Sequence, residues 1–501
     1  MQKEVYIFDR IDNRNSTEII KNLKCIVFLR PTPKNIEQLA EELQKPRFSQ
    51  YYLYFSNSIN KYDVKKLAEA DKNETVREVQ EVFLDGIPLR KDLFTLNISN
   101  IFESNYKVKD YAIERIRSGI VALLLQLKKK PAVRYLETSE NCKKIAEEVS
   151  QFMRRENTLF ESSDNDTILL IVERSLDVIT PLLNQWTYEA MIHELLGTSN
   201  NRLTCGDQDI VLNELQDAFF VENITANFGE IGQNIKTLIN EFQEKKKINK
   251  NLESIQDMKK FVEDYPQLKK ISGTVSKHVG LVGELSRLVQ QYNLLEISEL
   301  EQLIVSEGDH SKCIQRIREV INNPKTRELD TIRLILLYAL RFENFPGNEL
   351  RSLLHTQKSS LLQNVVKNIL NYGGSAKQPS DLFGGHSTID ITKRFIKGLK
   401  GVENIYTQHT PYLKNIVEKF KRGRYENFAL LESAECVKMN NLIVFIVGGA
   451  TYEEAAFVRN SNQRRLQGHG GPSIILAGNC MLNTKQLVDE FNKIGTDKRI
   501  H

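Results

Sequence analysis

The sequence lacks the features that mark most catalytic and membrane-spanning classes. Its six cysteines, Cys25, Cys142, Cys205, Cys313, Cys436 and Cys480, contain no CxxC pair. Zinc clusters and dithiol redox motifs need such close spacing, so neither is supported, and free thiols in a reducing compartment are expected. The longest strongly apolar runs, Gly119–Leu127 and Leu442–Val447, fall well short of the ~18 residues that span a bilayer. The charged start, MQKEVYIFDRIDNRN, has no apolar signal core. An excess of one charge is missing too: 69 Lys and Arg stand against 65 Asp and Glu, a net of +4. That balance argues against nucleic acid as a partner, since such binders usually carry a strongly basic face.

Catalytic signatures are equally scarce. No GxSxG nucleophile elbow accompanies the loop Gly468-His469-Gly470-Gly471-Pro472, which reads as a flexible surface loop. His193-Glu194 begins like a zinc-protease helix, but Gly197 stands where the second histidine is due. The turn Gly448-Gly449 lies between a strand and a helix, where α/β proteins cradle phosphates. It has no third glycine and no Lys-Ser/Thr pair, and Glu453 and Glu454 follow where an anion would be repelled. A nucleotide-binding enzyme with a site near Gly448-Gly449 is therefore the weaker alternative to a non-enzymatic binding protein, and neither a metal nor another cofactor is expected.

What is present is a chain of 501 residues, long enough for about three domains. Val5–Phe8, Cys25–Leu29 and Tyr51–Phe55 read as short strands, with a helix at Pro33–Leu43 between the last two. A second α/β unit follows: helix Tyr111–Leu127, strand Ala132–Leu136, helix Ser139–Met153 and the nearly all-apolar strand Thr167–Val172. Thr180-Pro181 predicts a further helix through Leu196 with Gly197 as its stop. From about 215 to 440 the period is helical, with a polar joint at Lys245–Lys250 and a loop at Tyr372–Ser387. A short basic amphipathic segment, Lys393–Lys400, reads as a solvated face ahead of the alternative, contact with anionic lipid or an acidic partner helix. Strands return at Leu442–Val447 and Ser473–Ala477, with helices at Thr451–Arg459 and from Thr484. Two late strands have no sheet of their own, so they are expected to complete the sheet begun at 132–196, around a helical insertion.

Several stretches carry a family likeness. They are LKCIVFLRPT (23–32), YFSNSI (54–59), LAEAD (67–71), SLDVITPLLNQWTYEAMIHELLG (175–197), SGTVSKHVGLVGELSRLV (272–289), ITKRFIKGLKGVENIYTQH (391–409) and VFIVGGATYEEA (444–455). In order and nearly end to end, they resemble the Sec-one/Munc-eighteen (SM) family, and most closely its vacuolar-protein-sorting branch.

The resemblance implies an α/β plus all-α arch of three domains: 1–97, a second α/β domain split into 98–215 and 441–501, and a helical domain at 216–440. It implies engagement of a syntaxin-type SNARE and promotion of SNARE assembly in vesicle fusion in Golgi, endosome and vacuole traffic. It implies no cofactor, a cytoplasmic chain held peripherally on Golgi and endosomal membranes by its partners, and further contacts with vesicle SNAREs and Rab effectors. A pocket for a syntaxin N-terminal peptide is implied at Val64, Leu67 and Val79, with Glu81 and Phe83 beside it. A SNARE-templating helical hairpin is implied with Pro266 at its hinge and Val275, Val279 and Val282 on its partner-facing side. Relatives carry a strand and helix before the segment matching Gln2–Tyr6, so the first sheet is expected to be short and its edges unpaired.

Overall fold

A computed structural model describes residues 5–13, 19–161, 166–248, 255–379, 382–383, 409–431 and 439–494, with the side chains of 245–270 left out. The first unit is a three-stranded parallel sheet, order β1-β2-β3: β1 Ile20–Leu29, β2 Phe48–Phe55 and β3 Val76–Glu81. Helices α1 (Pro33–Gln44) and α2 (Lys61–Ala70) cover one face. Thr32 caps α1 by accepting from Asn35 N at 3.3 Å, and Pro33 supplies a preset φ at its first turn. Its apolar stripe Ile36, Leu39, Ala40 and Leu43 meets Tyr51, Leu53 and Phe55, which alternate inward along β2. On the other face Ile26 and Phe28 of β1 remain 73% and 54% exposed. Val5–Phe8, expected as a strand, has no regular structure and is exposed. An apolar run becomes a strand only where a neighbour pairs with it, and here none does among the described residues.

The large sheet has the order β10-β6-β7-β11-β12-β5-β4. Its members are β4 Ile87–Arg90, β5 Leu93–Thr95, β6 Ala132–Leu136, β7 Thr167–Glu173, β10 Phe428–Leu430, β11 Asn441–Val447 and β12 Ser473–Gly478. The strands β6, β7, β11, β12 and β5 are parallel, and the edges β10 and β4 run antiparallel. The central strands β7 and β11 are buried almost throughout, as their unbroken apolar runs require. The two return strands β11 and β12 therefore share a sheet with β6 and β7.

Two expected boundaries shift. Leu93–Thr95 pair with β12 and Ile87–Arg90 pair with them in turn, so the change of sheet falls before Ile87 rather than at 97. Phe428–Leu430, placed in the helical stretch, instead closes the sheet against β6. The predicted helix from Thr180 also breaks up. Thr180–Leu182 is a single 3-10 turn, and α5 begins only at Tyr188 and ends at Leu195. Asp177 captures the N–H groups of Ile179 and Thr180 and the Thr180 hydroxyl, and Glu301 takes the N–H of Asn184. The Asp177 bonds cap a single turn, and the Asn184 N–H, which a continuing helix would return to Thr180, is committed to Glu301.

Helices α3 (Asp110–Leu127) and α4 (Glu140–Arg155) pack on the large sheet, α4 capped by Ser139. The hairpin β8 (Arg202–Cys205) and β9 (Gln208–Val211) precedes α6 (Ala218–Asn223), α7 (Phe228–Ile248) and α8 (Ile255–Gln291). Then come α9 (Leu294–Gln302), α10 (His310–Ile321), α11 (Glu328–Arg341), α12 (Leu350–Gln357) and α13 (Ser360–Gly373). Residues of α9 to α13 join the sheet in one continuous apolar core. A second core, around Trp186, Tyr188, Phe220, Leu281 and Leu285, holds the base of the α7–α8 pair.

Two buried polar clusters tie these layers. The fully buried Arg333 of α11 donates to Glu301 of α9 at 3.2 Å, to Thr484 at 2.9 Å and to Glu194 at the end of α5. Glu301 also accepts from Asn184 N and Nδ2 at 2.9 and 2.7 Å. In the second cluster, the Tyr188 hydroxyl meets His278 Nδ1 at 2.8 Å, and His278 Nε2 meets Asp217 at 2.9 Å. Asp217 also caps α6 through Phe220 N at 3.0 Å and takes a bond from Lys277.

Candidate functional site

In the first unit, α2 lies over β2 and β3 but does not fill the space between. Asn60 caps α2 by accepting from Asp63 N at 2.8 Å, which fixes where the helix starts. Asp71 stops it: its carboxylate accepts from the N–H groups of Thr75 and Val76 at 2.8 and 2.9 Å and from the Thr75 hydroxyl at 2.8 Å. Burial pushes this carboxyl up, but the three bonds outweigh it and hold it below the usual range. The result is a hollow of about 320 Å³. Its apolar wall is Leu53, Ile59, Val64, Leu67, Ala68, Val76 and Val79, and its acidic rim is Asp71 and Glu74.

The hollow brings together three of the residues expected there, Val64, Leu67 and Val79. Leu67 is buried at its floor, while Val64 and Val79 are 41% and 48% exposed at its mouth. Glu81 does not line it. Its Oε1 accepts from Ile59 N at 2.8 Å and so positions one wall. Phe83 lies outside it. Its carbonyl accepts from Gln126 at 2.8 Å and its ring packs on the main core, so it joins the two units instead. The residues missed by sequence are Leu53, Ile59, Ala68, Asp71, Glu74 and Val76. For Leu53 the signal was available in the inward alternation of β2.

The helical candidates divide differently. α8 runs on through Pro266, whose side chain lies outside the described residues. Its substitution can therefore strengthen the helix by restoring a backbone donor, but cannot lengthen one that already passes it. Val275 is half-buried and Val279 is 37% exposed, but Val282 points into the second core beside Leu281 and Leu285. Helical period explains the correction, because Val282 shares the buried side with Leu281, Leu285 and Val289. The basic segment 393–400 and most of the loop 372–387 lie outside the described residues.

The turn at Gly448 and Gly449 is filled from within. Both have positive φ, +100° and +101°, and a Cβ would meet Arg174 Cβ at 2.7 Å or Leu482 Cγ at 2.6 Å. The N–H of Gly448 donates to Asn479, and the carbonyl of Gly449 accepts from Arg174 at 2.8 and 3.1 Å. Arg174 also makes a two-pronged pair with Glu454 at 2.9 and 2.7 Å. The donors and space that a phosphate would use are already taken. Among the described residues no cluster of His, Cys, Asp and Glu is arranged to hold a metal ion, and no helix is long and apolar enough to cross a membrane.

An arch of two α/β sheets and a helical body, with a peptide-sized hollow on the smaller sheet, matches one known class. The pattern of the Sec1 family fits residues 1–490, and the chain belongs to that family. Mouse and human proteins named vacuolar protein sorting-associated protein 45 are each 46% identical over 517 aligned positions, spanning 100% of this chain and 90% of theirs. The solved complex of the SM protein Vps45 with the Qa SNARE Tlg2 is 38% identical and superposes with a TM-score of 0.87, covering 98% of this chain and 90% of that one. The Unc18–syntaxin 1 complex from Monosiga brevicollis, at 18% identity and a TM-score of 0.76, shares the fold.

Proposed function

We propose that this protein binds a syntaxin-type SNARE and promotes SNARE assembly for vesicle fusion in Golgi and endosomal traffic. The role is binding rather than catalysis. The observation that carries the reading is the hollow between α2 and β3. It is apolar inside and acidic at Asp71 and Glu74, and it suits a short peptide bringing one large apolar side chain and one cation. Solved relatives that superpose on this chain were captured with a Qa SNARE, which supports the same class of partner.

The test is the affinity of a syntaxin N-terminal peptide for the chain, measured by fluorescence anisotropy. Val64→Asp and Val79→Asp are each expected to weaken binding by at least about tenfold, because a charge replaces an apolar contact at the mouth. Both sites are well exposed, so the melting temperature should stay within the range of surface changes. Undiminished binding would count against the pocket.

The helical pair offers a second measurement. An interior proline costs a helix about 3 kcal/mol relative to alanine, so Pro266→Ala should stiffen α8. The expected result is a several-fold faster SNARE assembly in a liposome-fusion assay. An unchanged rate would remove α8 from the proposed templating role.

A further inference from the structure

The register of the large sheet gathers positive charge at one end. β6, β7, β11 and β12 are parallel and start level, with Ala132 opposite Ile168, and Asn441 opposite both Thr167 and Ser473. The segments entering these strands therefore emerge together, away from the Gly448-Gly449 turn. Lys128 ends α3 there in a left-handed conformation, exposed, beside the partly exposed Leu127. The helix Tyr412–Lys421 ends there and is followed by Arg422, Gly423 and Arg424, all exposed. The helix Tyr452–Arg464 ends beside the start of β12, to which Asn462 bonds through Ile474 N and O at 2.9 and 2.8 Å. Arg464, Arg465 and Leu466 follow, and Leu466 is 82% exposed.

These pieces are adjacent. Lys421, Gly423, Asn440 and Gly471 line one hollow of about 460 Å³. A Cβ at Gly471 would lie 3.4 Å from Lys421 Cε, and Arg465 Nε donates to the Gly471 carbonyl at 3.2 Å. The nearby acids offset only part of this charge. Glu418 pairs with Lys421 at 3.0 Å, and Asp166 is occupied by Lys129, Asn440 and Asn441. Glu426 is exposed, but Arg422, Arg424 and Arg464 have no ion pair among the described residues. Exposed Glu161 and Glu426 are outnumbered there by Lys128, Arg422, Arg424, Arg464 and Arg465, so among the described residues this end is basic.

We propose that this end of the large sheet is a contact surface for anionic membranes. Lys421, Arg422, Arg424, Arg464 and Arg465 would face lipid phosphates, and Leu466 would enter the interface. An apolar side chain presented bare between cations distinguishes a membrane from nucleic acid, whose backbone offers nothing for it to enter. Attraction of basic residues to an anionic leaflet acts within a Debye length and adds to the burial of the leucine. The proposal does not depend on the SNARE reading.

Flotation of the full chain with vesicles, in the absence of any SNARE, tests it. Vesicles of phosphatidylcholine with phosphatidylserine should carry the chain, and vesicles of phosphatidylcholine alone should not. Added salt should weaken the association. Arg422→Glu with Arg424→Glu should reduce the bound fraction at least about tenfold, and Leu466→Ser should reduce it several-fold. The control, Lys325→Glu with Arg351→Glu, removes the same charge from exposed positions elsewhere and should bind nearly as the parent. Equal binding to neutral vesicles, no binding to anionic ones, or an equal loss in the control would overturn the proposal. So would capture of RNA with the vesicles left unbound.

Discussion

Arg333→Met is expected to cost about 3–5 kcal/mol of stability, the penalty for breaking a buried ion cluster from one side. Arg333 is fully buried and faces Glu194, Glu301 and Asp330. Asp330 keeps a second partner in Arg327 at 2.6 Å, but among the described residues Glu194 and Glu301 pair with no cation other than Arg333. Methionine matches the aliphatic stem and supplies no charge, so the carboxylates are left desolvated. The loss should also depend on pH. Burial raises the Glu301 carboxyl to about 7, against the pull of Arg333. A carboxyl raised in the folded state contributes stability at low pH that is lost as pH rises through its folded value. Without Arg333 the pull downward disappears, so the deficit of the variant should grow from about pH 6 to about pH 8. Melting temperatures of parent and variant across that range check both claims. A deficit that shrinks with pH would show that the carboxylates are not the source.

Asp217→Ala should loosen the base of the α7–α8 pair and cost roughly 2–4 kcal/mol. About 1 kcal/mol is the lost cap of α6, and the rest is the buried His278 left without its acceptor. Burial raises the Asp217 carboxyl, but the bonds from His278 and Lys277 more than offset this and hold it well below the usual range. Its stabilising effect is thus present above the ordinary carboxylate pKa and is lost only in strong acid. Hydrogen exchange is the suitable measurement, because a chain with several cores need not unfold in one step. Amides of α6 and of 275–291 should exchange faster in the variant, while those of β7 and β11 hold. Uniform acceleration would mean that the second core is not a separate unit.

Which parts of this architecture were legible in the sequence follows from the range of the forces involved. The strands at 167–173 and 441–447 announce themselves, because a strand buried on both faces must be apolar along nearly its whole length. Capped helices such as Glu140–Arg155 and Thr484–Lys493 are equally local, since Ser139 and Asn483 bond only three residues ahead. Val5–Phe8 and Thr180–Leu196 misled for the opposite reason. Their fate rests on what their own pattern does not contain: a pairing neighbour, absent for the first among the described residues, and for the second Glu301, 117 positions beyond Asn184. The hollow was half legible. Val64, Leu67 and Val79 follow from the family resemblance and Leu53 is within reach of the β2 alternation, whereas Val76 joins them only through β2–β3 pairing. Val282 required knowing which side of α8 the second core would claim.

The first unit is lightly built. One small apolar core joins two helices to three strands, and the other face of β1 carries Ile26 and Phe28 in solvent. Local opening is easiest where buried contacts are fewest, and the hollow between α2 and β3 lies in that same unit. A ligand that binds only the closed form lends its binding energy to folding, roughly 2.7 kcal/mol at a hundredfold excess over Kd. Occupancy of the hollow would therefore govern how long the chain survives proteolytic attack, and scarcity of the partner would register as faster turnover of this protein.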